Sequence, residues 1–220
     1  KLNLFLYLPK SNASLWILLA INIVAGACLV AGYFTYISAL VAFITNLSFY
    51  IRNRYHAHSG DTVLRYFLFL LIFSRAGDCL SVDAFLAGHD VLFPTGLDKS
   101  PWVERLIQIQ VGIIYLRTVV WKFHGEMWRS GTAAGYAMQL KDFQRFVPPK
   151  ILLSQWVVKL ATWGTLFAET ALGTAIWVRE FRYPTIAMGV IMHLGFELFL
   201  DLQLFGLIMI TGLLLFVEPS

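Results

Sequence analysis

The chain has 220 residues, 58% of them hydrophobic and only 14% charged, with a net charge of +4 and a mean hydropathy of +0.68. Soluble domains run near 45–50% apolar and about 25% charged, so a water-soluble fold of this size lacks the polar residues to cover itself. The basic excess is small and sits in loops beside apolar segments, which is membrane-flank chemistry and speaks against a nucleic-acid partner.

The apolar stretches are continuous rather than alternating, which selects helices over a membrane barrel. Residues 1–14 show no basic segment leading to a small-residue cleavage site, so they do not read as an intact signal peptide. The chain begins at Lys1, as expected of a processed product or of part of something longer. Helices are predicted near 15–33, 34–51, 62–76, 103–122, 154–178, 184–200 and 202–217. Gly32 and the polar run 52–61 divide the first half, and Pro94, Gly96 and Pro101 mark a loop, as do Pro148, Pro149 and Pro184 later. The stretch 123–153 is too polar to span, and 132–146 has the character of a helix lying in the interface. The expectation is an all-α, polytopic helical bundle of about seven transmembrane helices. It reads as one domain over 1–220, multi-pass, in a bacterial inner membrane, and its first partner is the lipid bilayer. Cys28 and Cys79 show no pairing pattern and set no redox compartment. By the distribution of Lys and Arg, the side holding 1–14, 52–61 and 122–153 has about nine and the other about five, a thin margin toward the cytoplasm for the former.

Ionisable groups at membrane depth are costly, so each is a candidate for function. Arg65 and Lys159 lie near helix ends, where long side chains snorkel to the headgroups. Glu169, in the middle of "LFAETAL", needs a partner or a proton: a neutral carboxyl tying helices together and a functional group are both open. His193, Glu197 and Asp201 follow at four-residue spacing on one helical face. His and Glu so placed can share a metal, but a full site needs ligands from elsewhere, and no metal is expected. Lys122 closes the apolar segment "VGIIYLRTVVWKF". Desolvation there penalises its charged form and favours a general base; an anchor Lys beside an interfacial Trp is the plainer alternative.

Three stretches then bear on the choice: "HSGDTVLR" (58–65), "YLRTVVWKFHGEMWRSGTAAGYAMQLKDF" (115–143) and "MHLGFELFLDLQLFGLIM" (192–209), with "SVD" (81–83) and "FAETALG" (167–173) between them. Together they resemble the horizontally transferred transmembrane (HTTM) domain of the vitamin K-dependent γ-carboxylase family, including its bacterial relatives. The most specific element is K-x5-W-x2-G-x4-Y, here Lys122, Trp128, Gly131 and Tyr136. The resemblance implies that Lys122 is the base that deprotonates a quinol such as reduced vitamin K, with His58 tuning it. A polar pocket of Glu169, His193, Glu197 and Arg117 is expected around them. It also implies that 52–61 and 122–153 face away from the cytoplasm, against the weak charge count. Departures are the first transmembrane helix of the family, the large soluble domain of the carboxylases, and the replacement of small residues before the lysine by Arg117, Thr118 and Val119. Arg117 places a second positive charge about one and a half turns from Lys122. Two functions remain: a carboxylase-like membrane protein maturing peptides with other membrane or soluble subunits, or a non-catalytic subunit of a larger membrane complex.

Overall fold

The computed structural model describes residues 2–53, 55, 58–88 and 101–217. The loop expected around Pro94 and Gly96, and parts of 52–61, lie outside them. Among the described residues there are ten α-helices and no strand. The chain divides into two compact units, 1–105 and 106–220.

The first unit holds α1 (Asn12–Ala31), α2 (Thr35–Arg52), α3 (Ser59–Leu71) and the short α4 (Val82–Leu86), and its last residues open α5 (Trp102–His124). Ser11 caps α1 by accepting from the Ser14 N–H at 3.3 Å. Gly32 stops it in the left-handed region at φ 63°, and the Tyr33 N–H returns to the Cys28 carbonyl at 2.8 Å, so the orphaned carbonyls of the last turn are paired. α2 buries a stripe of small residues, Thr35, Ser38, Ala39, Ala42, Thr45 and Ser48. Small side chains let helix backbones approach closely, and Ala25, Ala42 and Leu68 make the local core. The Thr45 hydroxyl meets Asn22 Oδ1 across the helix pair at 2.7 Å. Arg65 departs from the snorkelling expected of it: it is buried, lies 3.7 Å from the Tyr50 ring centroid and donates to Thr62 Oγ1 at 3.0 Å. A neighbouring aromatic face and hydroxyl supply what water would have supplied.

The second unit holds most of α5, then α6 (Glu126–Ser130), α7 (Ala133–Gln139), α8 (Gln155–Gly173), α9 (Arg179–Phe199) and α10 (Phe205–Leu214), with a 3-10 turn at Ala175–Trp177. The interfacial helix expected over 132–146 is only the seven-residue α7. Its remainder is irregular and meets the end of α9 through a single antiparallel bridge, Gln144 with Leu200. Pro184 lies inside α9 instead of starting it.

Among the described residues two helices, α1 at mean hydropathy 2.3 and α5 at 1.2, are long and apolar enough by themselves to cross a membrane, where about seven spans were anticipated. Length is one reason. At about 1.5 Å per residue, α3 and α10 span only about 20 and 15 Å, short of the roughly 30 Å hydrocarbon layer. Composition is the other. α8 carries Lys159 and Glu169, and α9 carries Arg179, Glu180, Arg182, His193 and Glu197. Yet α1 leaves Trp16, Ile17, Ile23, Val24 and Val30 exposed, a surface suited to lipid.

Candidate functional site

The site is built within the second unit, from α5, α6, α8 and α9. Tyr115 and Lys122 are seven residues apart on α5, two turns, so they share a face. On α8, Thr162, Thr165 and Glu169 make the buried polar edge of one face. α9 contributes His193 among Thr185, Ile186 and Gly189.

The K-x5-W-x2-G motif has a direct mechanical reading. α5 ends at His124, and Gly125 turns the chain in a space where a Cβ would lie 3.1 Å from Trp128 Cδ1. The five residues of α6 then carry the Trp128 ring back to 4.4 Å from Lys122 Nζ. Gly131 ends α6 in the left-handed region at φ 78°, where a side chain would also crowd Lys159 and Trp163 at 3.0–3.1 Å. α7 follows, fastened to α8 by the Ala134 N–H donating to Thr162 Oγ1 at 3.0 Å. Tyr136, the last residue of the motif, is exposed.

Lys122 Nζ donates to Glu169 Oε1 at 2.5 Å, with the Lys122 side chain 18% exposed and that of Glu169 6%. A buried carboxylate with no cation would be prohibitive; here the ammonium meets it and Trp128 covers the ammonium. One turn-pair back along α5, Tyr115 Oη lies 2.7 Å from His193 Nε2. Both are buried, at 3% and 1% exposure. Phe196 and Phe205 present their edges to the imidazole at 5.8 Å each.

Lys122, Glu169, Tyr115 and His193 all line one cavity of about 550 Å³, together with Thr118, Thr165, Trp128 and an apolar majority that includes Met138, Met188 and Met192. Ligand cavities typically run about 300–1,000 Å³ with few polar groups in an apolar wall. Two polar atoms of this set, Glu169 Oε2 and His193 Nδ1, are buried without a hydrogen-bond partner. Buried polar atoms are nearly always paired, so these two stand out.

Within the second unit, Arg117, Glu197 and Asp201 are not among the residues lining this cavity. Arg117 is exposed, its guanidinium 5.3 Å from the Trp121 ring centroid. Glu197 accepts from the Gly206 N–H at 2.8 Å, capping α10, with Arg145 at 3.7 Å. The helical ladder His193, Glu197, Asp201 breaks at its last rung, because α9 ends at Phe199 and Asp201 is exposed. His58 belongs to the first unit, where it caps α3 and its backbone N–H donates to Asp61 Oδ2 at 2.9 Å. Among the described residues no group of three or more His, Cys, Asp or Glu side chains is placed to hold a metal ion. Tyr115 escaped the sequence reading. Its only signal was a hydroxyl-bearing aromatic two turns before Lys122 on the same apolar helix. Trp128 was visible as a motif residue, but not as the lid on the lysine.

The HTTM domain matches residues 3–220. The chain belongs to the HTTM domain family. That family is membrane-associated, in keeping with the exposed apolar flank of α1. The chain is also similar to the sporulation-delaying protein SdpB of Bacillus subtilis (strain 168), at 30% identity over 125 residues, 54% of this chain and 38% of SdpB. The chain thus spans well under half the length of that relative. No solved structure matches it.

Proposed function

We propose that this HTTM chain is a carboxylase-like, multi-pass membrane protein that takes an amphiphilic quinol into the 106–220 cavity and removes a proton from it, in the service of peptide maturation with a partner protein. The observation that carries the reading is Lys122: a lysine on the wall of a 550 Å³, mostly apolar cavity, held by a carboxylate that keeps one oxygen uncommitted. An apolar body with a small polar head fits that lining. A base needs somewhere to put its own proton. Glu169 is that place: Nζ passes a proton to Oε1, and the resulting amine accepts the proton of a quinol hydroxyl, leaving a quinolate beside the ammonium. The less apolar helices α2, α8 and α9 join α1 and α5 in the bilayer in this reading, their polar faces turned to protein.

The rival is a scaffold subunit, and one observation favours it. Lys122 is already neutralised by Glu169 and covered by Trp128, which is how a purely structural tie is built. A charge exchange separates the two. The protein in lipid nanodiscs is titrated with a short-chain reduced naphthoquinone, with binding read from tryptophan quenching and quinol loss followed in air. The expected result is that Lys122→Ala binds but no longer consumes quinol, and that Lys122→Glu with Glu169→Lys regains stability without regaining consumption. Quinol consumption at the native rate in Lys122→Ala, or no quinol binding by the native chain, overturns the proposal.

A further inference from the structure

The Tyr115–His193 pair does work that the lysine mechanism does not use. His193 is 1% exposed, its Nε2 is engaged by Tyr115 Oη at 2.7 Å, and its Nδ1 has no partner. The imidazole cannot turn freely, because Phe196, Phe205 and the Tyr115 ring stand around it at centroid distances of 5.8, 5.8 and 6.0 Å.

The proton in the Tyr115–His193 bond has two places to be. With Nε2–H donating to the phenol oxygen, the Tyr115 O–H, 3% exposed, needs a second acceptor; His193 Nε2 is the partner the structure gives it. With the phenol donating to Nε2, every atom of that contact is satisfied and the imidazole proton moves to Nδ1. The first arrangement leaves two buried groups unpaired, the phenol O–H and the bare Nδ1, and the second leaves one, the Nδ1–H. The second arrangement therefore wins, and it makes Nδ1 an N–H donor of a residue that lines the cavity.

We propose that Tyr115 is a positioning residue, which holds His193 as its Nδ1–H tautomer so that this N–H binds a hydrogen-bond-accepting oxygen, a carbonyl or hydroxyl, of the ligand in the cavity. The proposal rests on the cavity being the working site. It adds a second anchor to Lys122: a ligand oxygen held at His193 while another group of the ligand faces the Lys122–Glu169 pair.

Imidazole nitrogen chemical shifts read the tautomer directly, without substrate, so the outcome is independent of quinol turnover. The full chain is labelled with 15N-histidine, and the His193 signals are assigned by their loss in His193→Gln. Should that variant not fold, a chain with His56, His58, His89 and His124 all changed to Gln leaves a single imidazole to observe. The native protein is expected to show Nδ1 protonated and Nε2 bare. Tyr115→Phe is expected to move the population toward Nε2–H, the form free imidazole prefers, with helix content unchanged. A native His193 already in the Nε2–H form, or a Tyr115→Phe spectrum identical to the native one, overturns the inference. Failure of quinol binding with the predicted tautomer switch intact would instead count against the proposed substrate alone.

Discussion

Two polar clusters, one in each unit, use similar residues to opposite ends. In the first unit, Asp83 accepts from the Phe34 and Thr35 N–H groups at 2.9 Å each and from Thr35 Oγ1 at 2.8 Å, capping α2 from a distant point in the chain. Ser81 donates to the Gly77 carbonyl at 2.5 Å and accepts from the Ala84 N–H at 3.0 Å. Both Asp83 oxygens are occupied, and glycines close the remaining space: a Cβ on Gly32 would stand 2.3 Å from that of Ser81, and one on Gly77 would stand 2.6 Å from Thr35 Oγ1. In the second unit, Lys122, Glu169, Tyr115 and His193 pair off but leave a carboxylate oxygen and a ring nitrogen over, beside an open volume. A polar cluster whose hydrogen bonds all close on themselves holds a fold together. One with bonding capacity left over beside a cavity has the arrangement that the proposed ligand site requires.

Breaking the second cluster should cost most. Glu169→Ala strips the partly buried Lys122 ammonium, 18% exposed, of its partner; removing one member of a fully buried pair typically costs about 3–5 kcal/mol, which is the upper bound here. A thermal melt of the purified protein in detergent is expected to show a large drop, most of it recovered when Lys122→Met is added. If the double variant is no more stable than the single, Lys122 and Glu169 do not act as one electrostatic unit.

Gly32→Ala tests the first cluster. The left-handed backbone costs a residue with a Cβ about 1–2 kcal/mol, and the overlap with Ser81 adds roughly 1–3 kcal/mol. The same melt should register the loss, and Gly26→Ala, whose Cβ would meet nothing within 4 Å, is the control expected to be neutral or slightly stabilising. Equal effects at both positions would dissolve the claim that Gly32 is sterically required.

The smallest effect sharpens the contrast through pH. Hydrogen bonds from the Thr35 backbone, the Thr35 hydroxyl and the Phe34 backbone hold the Asp83 carboxyl below its ordinary 3.8. A carboxylate lowered in the folded state contributes stability above its unfolded value and loses it as pH falls through the folded one. Native stability should therefore decline below about pH 4, and Asp83→Asn should be slightly less stable at neutral pH with a shallower decline in acid. An unchanged acid slope in that variant would separate Asp83 from the effect.

The helical class and the membrane character were legible in composition and in continuous apolar runs, because both are properties of local sequence. The motif residues Lys122, Trp128 and Gly131 and the isolated acid at Glu169 were legible for the same reason: a charge in an apolar stretch is conspicuous wherever the stretch packs. Helix number and length were less so. Apolar runs such as 62–76 and 202–217 do not announce that they end as the 13- and 10-residue helices α3 and α10.

What the tertiary structure alone decided is which polar groups meet. Lys122 and Glu169 are 47 positions apart, and Tyr115 and His193 are 78 apart. Periodicity says that Tyr115 and Lys122 share a face of α5, and that His193 and Glu197 share one on α9. It does not give the rotation of each helix about its axis, and that rotation sends His193 to the cavity while Glu197 caps α10 at Gly206. Arg65 and Arg117, each read from its position along a helix, ended against Tyr50 and Trp121 instead. The sequence by itself determined an all-helical, membrane-directed HTTM chain with a few costly polar groups. Packing determined their partners, since a buried charge or hydroxyl takes whichever complementary group the neighbouring helix presents, and that choice is made in space and not along the chain.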